Sequence, residues 1–200
     1  MTVIGITGPT GSGKTTVLAV LTELGAAVAD CDAVYHELLQ TSASMQNELK
    51  KRFGAGIFDE NGTLRRKELG VIVFEDPLAL ADLNAITHRH IIAEAERRIG
   101  QARLEGRPAV ALDAVALLES GLGTRCDVTV AVTAPEEVRV RRIMVREGIS
   151  EEYARKRAAA QKPARYFEER CDYVLRNDSG IETLQAQARA LFLKLVDPGI

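Results

Sequence analysis

The 200-residue sequence predicts an α/β fold, a parallel sheet covered on both faces by helices. Three observations predict it. Short apolar runs of strand length recur along the chain with helix-like stretches between them, the pattern of buried parallel strands. A glycine-rich segment, "GITGPTGSGKTT", joins the first apolar run to the first helical one. One long block, residues 33–106, is poor in strand signals and reads as successive amphipathic helices.

Taken in order, residues 3–7 are an apolar strand ending in glycines. Residues 15–24 carry apolar side chains at helical spacing and are closed by Gly25. Residues 26–30 ("AAVAD") form a second strand that ends at the carboxylates Asp30 and Asp32. The block 33–106 follows, its longest helical stretch being "DPLALADLNAITHRHIIAEAERRIGQARLEG". Strand signals return at residues 109–113, 127–133 and 172–176. "TAPEEVRVRRIMVREG" opens with Thr133 and Glu136 at capping-box spacing and stops at Gly148. A last helix, 182–195, places Leu184, Ala188, Leu191 and Leu195 on one face, which packs on the sheet. "DENGT" and "GRP" are turns.

Composition narrows the function. A hydrophobic content of 46% supports one compact domain with an attached lobe or two. A net charge of -2 supplies no global basic field, so neither nucleic acid nor an anionic membrane is expected as partner. No apolar run approaches the ~20 residues that span a bilayer, and the amino terminus reads as a buried strand rather than a leader. Cys31, Cys126 and Cys171 are widely spaced and form no Cys-x-x-Cys pair, which suits buried, reduced thiols. A cytoplasmic globular protein, monomeric or a small homo-oligomer, is expected.

Gly8-x-x-x-x-Gly13-Lys14-Thr15 fits a phosphate-binding loop in the strand–loop–helix context that such a loop requires. Glycines let successive backbone N–H groups turn inward, and the positive end of the following helix completes a nest for phosphate oxygens. Lys14 adds a point charge over the β- and γ-phosphates, and the Thr15 hydroxyl is the candidate Mg²⁺ ligand. The base-reading Asn-Lys-x-Asp of a GTPase is absent, and Asp59-Glu60-Asn61-Gly62 falls in a turn far from a suitable strand. Motor ATPases need a longer chain.

A phosphotransferase fits better. In a doubly wound sheet, ligands sit beyond the carboxyl ends of the strands. A carboxylate there faces the γ-phosphate and can accept a proton from a substrate hydroxyl. Asp32 is the candidate general base, and one of the two carboxylates, Asp30 first, only caps the next helix. Asp113 also ends a strand, and three readings stay open for it: a Mg²⁺-linked carboxylate, a group that orients substrate, or a turn cap. Residues 138–165 hold nine basic residues against three acidic ones, a local net charge of +6 in an acidic chain. Arg139, Arg142 and Arg146 fall near one helical face there, as in the arginine-bearing lids of small kinases. His88-Arg89-His90 makes a poor metal site, because helical residues two apart do not face each other.

These segments together resemble the dephospho-coenzyme A kinase family over nearly the whole length. "GITGPTGSGKTT" looks like the family's phosphate loop, and "VADCDAVYHELL" like its Asp-Ala-Asp segment, with Cys31 in place of the usual Ala. "FGAGIFDENGTLRRKELGVIVFEDPLALADLNAITH" is similar to a family stretch running from a glycine turn to a helix ending in His. "DAVALLESGL" resembles Asp-x-Pro-Leu-Leu-x-Glu, and "RRIMVREGISEEYARKRAAAQ" and "CDYVLRND" resemble the lid and last strand. Arg89 and Val115-Ala116-Leu117 stand where the family commonly has proline-containing segments, and His36 where many members have Arg.

The resemblance implies a three-layer P-loop nucleotide-kinase fold with a helical substrate-binding insertion and a lid. It implies ATP-dependent phosphorylation of the ribose 3′-hydroxyl of dephospho-CoA. Gly11, Ser12, Gly13, Lys14, Thr15 and Thr16 would hold the ATP phosphates and Asn177 would lie near the adenine. Asp32 would be the base, with Lys14, Arg142 and Arg146 stabilising the transferring group. Arg66, His88 and Asp113 are candidate substrate contacts. The core would comprise residues 1–32, 107–137 and 166–200, the helical substrate domain 33–106 and the lid 138–165. A kinase for another small acceptor, such as a nucleoside monophosphate, and a non-catalytic nucleotide-binding regulator are the alternatives. An apolar acceptor groove separates the first reading from the second.

Overall fold

Five parallel strands make the sheet of the described residues, in the spatial order β2-β3-β1-β4-β5. They are β1 (Thr2–Thr7), β2 (Ala27–Asp30), β3 (Ala109–Asp113), β4 (Val128–Thr133) and β5 (Tyr173–Arg176). The structure, a computed structural model, describes residues 1–197. β1 is central: Ile4 pairs with Ala111 of β3 on one side and Val128 of β4 on the other. The strand order reverses about β1, so the crevice at its carboxyl end is where a ligand is expected.

Both faces of the sheet are covered. α1 (Lys14–Glu23) and α9 (Ile181–Val196) lie on one face, where Ile4, Ile6, Val17, Val20, Leu184 and Phe192 are buried together. The expected face of the last helix is the one that packs. On the other face lies α5 (Pro77–Leu104), whose Ala95, Ile99 and Ala102 pack on Val3, Val110 and Leu112. Each fully buried Val, Leu, Ile or Phe among them contributes about 1.5–3 kcal/mol over exposure.

Between β2 and β3 the chain is mainly helical, as expected: α2 (Cys31–Thr41), α3 (Ala43–Phe53), α4 (Arg66–Glu75) and α5, with a bridge between Phe58 and Leu64 joining α3 to α4. Leu39, Met45, Leu49, Phe53, Phe58 and Val73 form a separate apolar cluster there. The amino-terminal half of α5 reaches that cluster through Leu83 and Ile86, while its carboxyl half covers the sheet. One 28-residue helix therefore ties the helical block to the core. It runs unbroken through His88-Arg89-His90, because Arg at the second of these positions keeps the N–H that proline would remove. "DENGT" is a turn: Asp59 accepts from the backbone N–H groups of Asn61 and Thr63.

After β4 come α6 (Glu136–Glu147), α7 (Glu151–Ala159) and the short α8 (Ala164–Glu168). Val140, Ile143, Ala154 and Ala158 bind α6 to α7. Gly148 ends α6 at a positive φ of 64°, as its sequence predicts. The capping box predicted from Thr133 and Glu136 does not form. Pro135 occupies the N-cap position, without a side-chain cap hydrogen bond. Thr133 is still strand residue, paired with Arg176, and its hydroxyl donates to Glu168 Oε1 at 3.0 Å. Two residues, Ala134 and Pro135, thus separate Thr133 from the helix that it was expected to cap. Among the described residues no helix is long and apolar enough to cross a membrane.

Candidate active site

The strand ends bring the candidate groups together. β1 runs into the glycine loop, β2 ends at Asp30 and β3 at Asp113. The parallel register sets Asp113 beside Asp30 on one flank and Ile6 on the other. Asp30 caps α2 by accepting from the Ala33 N–H at 2.9 Å, which turns the chain so that Asp32 follows in the first helical turn.

The loop wraps the start of α1. Gly8 and Gly13 have φ of 137° and 110°, conformations that side-chain-bearing residues rarely adopt. A Cβ at Gly8 would overlap the Val132 carbonyl oxygen, and one at Gly13 would overlap the Asn177 side-chain amide. Lys14 Nζ donates to the Gly8 carbonyl at 3.1 Å, which holds the ammonium over the loop. The first amides of α1 have no intrahelical acceptor and carry the positive end of the helix dipole.

A cavity of about 670 Å³ opens over this loop. Gly11, Ser12, Gly13, Lys14 and Thr15 line it on one side, with Asp32 and Asp113. Arg141, Arg142 and Arg146 of α6 line the other. A second cavity of about 280 Å³ adjoins the first at Asp32 and is mainly apolar, with Tyr35, Leu83, Ile91, Ile92, Ala116 and Leu122 in its wall. His88 lines this second cavity, whereas His90 faces α3 and contacts Glu48 Oε1 at 3.1 Å. Cys31 also lines it, and burial pushes that thiol up to about 12, so it stays protonated and weakly reactive.

Electrostatics distinguish the carboxylates. Burial raises Asp32 above the usual carboxylate range and nearby Asp30 adds to this, while Lys14 and His36 oppose it. Asp113 is raised further, to about 6, chiefly by burial; Lys14 pulls it down and Asp30 and Asp32 push it up. Burial lowers His88, with Glu119 acting against it, so its imidazole is neutral at physiological pH.

Two buried polar atoms, Ser12 Oγ and Asp113 Oδ1, have no hydrogen-bond partner among the described residues. Both lie on the wall of the larger cavity, where a ligand would satisfy them. The donor set of Thr15, Asp32 and Asp113 is made of hard oxygens, and no cluster of three or more His, Cys, Asp or Glu among the described residues would hold a metal alone. That fits Mg²⁺, which is held through one or two carboxylates together with substrate phosphates.

Other sequence-predicted residues lie apart from the cavity wall. Thr16 sits in α1, its N–H donating to the Gly13 carbonyl at 3.0 Å. Asn177 is 4% exposed; its side-chain amide donates to the Ser12 carbonyl at 2.8 Å and its oxygen accepts from Arg142 at 3.1 Å. Arg66 meets His36 Nδ1 at 3.1 Å and lines neither cavity. Arg139 is buried and donates to the Thr10 carbonyl, so it supports the loop from behind.

The arginine face is therefore rotated from the one that the spacing singled out. Arg141, Arg142, Val145 and Arg146 meet the cavity. Arg141 went unselected because helical spacing groups residues on a face and leaves open which face is turned inward. Most of the remaining positive charge of residues 138–165 is paired at the surface, as in Arg155 with Glu137 and Glu151 and Lys156 with Glu152. Gln161 closes the lid-like segment and contacts the loop, but no spacing or charge pattern marks it apart from its neighbours.

Three comparisons bear on this site. The family model for dephospho-CoA kinase matches residues 2–183. A dephospho-CoA kinase of Symbiobacterium thermophilum is 40% identical to this chain over 95% of it and 80% of the relative. One of Syntrophotalea carbinolica is 37% identical over 100% of this chain and 94% of the relative. A solved structure from Thermus thermophilus, 36% identical, superposes with a TM-score of 0.76 and covers 97% of each chain.

Proposed function

The chain belongs to the dephospho-CoA kinase family, and from that premise we propose that it transfers the γ-phosphoryl group of ATP to the ribose 3′-hydroxyl of dephospho-CoA, releasing CoA and ADP. The observation that carries the reading is the position of Asp32 on the wall shared by a phosphate cradle and an apolar cavity. A mononucleotide acceptor needs little apolar wall, whereas a pantetheine arm needs one. Tyr35, Leu83, Ile91 and Ile92 supply it.

In this reading the loop amides of residues 11–15 and Lys14 bind the triphosphate. Asp32 accepts the hydroxyl proton as the acceptor oxygen bonds to the γ-phosphorus and the bond to the β–γ bridging oxygen breaks. Raised by burial, the Asp32 carboxylate is a stronger base than an exposed one. Arg142 and Arg146 face the same cavity and stabilise charge on the transferring group. Mg²⁺, when bound, would neutralise phosphate charge, with Thr15 and Asp113 as the residues to hold it. Asn177 serves the nucleotide through the loop, by holding the Ser12 carbonyl and Arg142. His88 contacts the acceptor from the apolar cavity, and Arg66 is the remaining candidate contact. The helices from α2 to α5 form the acceptor domain, and α6 with α7 the lid, in a cytoplasmic enzyme.

An ADP-release assay with dephospho-CoA beside a panel of nucleoside monophosphates tests this. Turnover is expected with dephospho-CoA alone. Preference for a monophosphate would overturn the acceptor, and ATP binding without ADP production with any acceptor would overturn catalysis.

A further inference from the structure

The phosphate loop is held from outside. Thr10 engages residues far along the chain through all three of its polar atoms. Its N–H donates to Gln161 Oε1 at 2.9 Å, its hydroxyl accepts from Gln161 Nε2 at 2.7 Å, and its carbonyl accepts from Arg139 Nε at 2.9 Å. Arg139 Nη2 closes the ring by donating to Gln161 Oε1 at 3.1 Å. The amide orientation is forced, because the Thr10 N–H and the guanidinium can only donate. Glutamine suits the place: it offers a donor and an acceptor side by side, where a carboxylate has only acceptors and an ammonium only donors.

The ring controls where loop amides point. A peptide is planar and trans, so the N–H of one residue points opposite to the carbonyl before it. With the Thr10 carbonyl held by Arg139, the Gly11 N–H is fixed on the opposite side of that peptide. The Ser12 carbonyl, held by Asn177, does the same for the Gly13 N–H. Thr10, Gly11 and Gly13 line the larger cavity; Gln161 and Arg139 do not, so Gln161→Leu removes no direct contact with it.

We propose that Gln161 is a positioning residue for ATP binding, which holds Thr10 so that the loop amides face the phosphates before nucleotide arrives. It follows α7 (Glu151–Ala159), so the α6–α7 pair acts on the nucleotide through the loop backbone as well as through its arginines. The inference rests on the reading that this loop binds ATP.

The test uses the full chain carrying Gln161→Leu, Thr10→Val or both. It measures the Kd for ATP by calorimetry and KM for each substrate. Gln161→Leu is expected to weaken ATP about tenfold, the effect of losing one or two hydrogen bonds to a preorganised loop. KM for dephospho-CoA should stay unchanged, which a general loss of structure would not spare. The double variant should lose less than the product of the two single losses, since both remove the same contact. Wild-type ATP affinity in Gln161→Leu, equal weakening of both substrates, or multiplying losses would each overturn the proposal. Should Gln161→Leu fail to fold, Thr10→Val decides alone, because it leaves α7 untouched; unchanged ATP affinity there overturns it. A wild-type chain that binds no ATP would overturn the functional reading as well, so the two failures are distinct.

Discussion

Asp32 and Asp113 sit where charge is costly to place, and each behaves accordingly. Replacing Asp32 by Asn keeps shape and removes the proposed base, so Asp32→Asn is expected to lower kcat by roughly 10²–10⁴-fold with the Kd for ATP unchanged. Rapid-quench turnover beside calorimetry reads both quantities. Asp113 gives a stability signature. Its pKa rises from 3.8 to about 6 on folding, so the folded chain retains a proton that the unfolded chain releases. Its contribution favours folding at low pH, is lost as pH rises between those two values, and is flat above. Asp113→Asn should therefore melt higher than the wild type at neutral pH without nucleotide or metal, and the advantage should shrink as pH falls through about 6. Both aspartates were legible as strand-end carboxylates. Their separate environments were not, because burial and mutual repulsion depend on register between strands far apart in sequence.

The strand–loop–helix unit was the most legible element. Its glycines announce positive φ, and three of them, Gly8, Gly11 and Gly13, also admit close neighbours, Val132, Arg139 and Asn177, that no local pattern names. Gly8→Ala is expected to destabilise the fold by about 1–3 kcal/mol or more, as strain adds to overlap with a backbone carbonyl that has no freedom to move. Urea unfolding measures it. Asp30, whose residue type suits a helix cap, is one. Asp30→Ala should cost about 1 kcal/mol of stability from the lost cap. It should also lower the pKa of Asp32, because Asp30 is among the charges that raise it. With Asp32 as the proposed base, turnover would then persist to lower pH, and the acid limb of the pH–rate profile records the shift. The capping box at Thr133 failed for a reason internal to elements: spacing matched, but the strand continued through the residue that was expected to cap.

At the scale of the molecule, the two cavities meet at a residue between the sheet and the helical lobe, so binding in either should brace the whole fold. Mg·ATP at about 100 times its Kd is expected to add about 2.7 kcal/mol to folding free energy, seen as a raised melting temperature that scales with nucleotide concentration. The same shift in a Lys14→Ala chain would show that the loop is not the nucleotide site. The sequence alone determined the parallel α/β class, the phosphate loop, the strand-end carboxylates, the helical block and the family. All are signals carried by neighbours in the chain, in periodicity, glycine placement or motif spacing. Tertiary structure alone decided which arginines face the cavity, that Arg139 and Gln161 grip the loop from behind, and that Asp32 stands between two cavities. Those facts turn on contacts between residues more than a hundred positions apart, and on the rotation of a helix about its axis, which only packing sets.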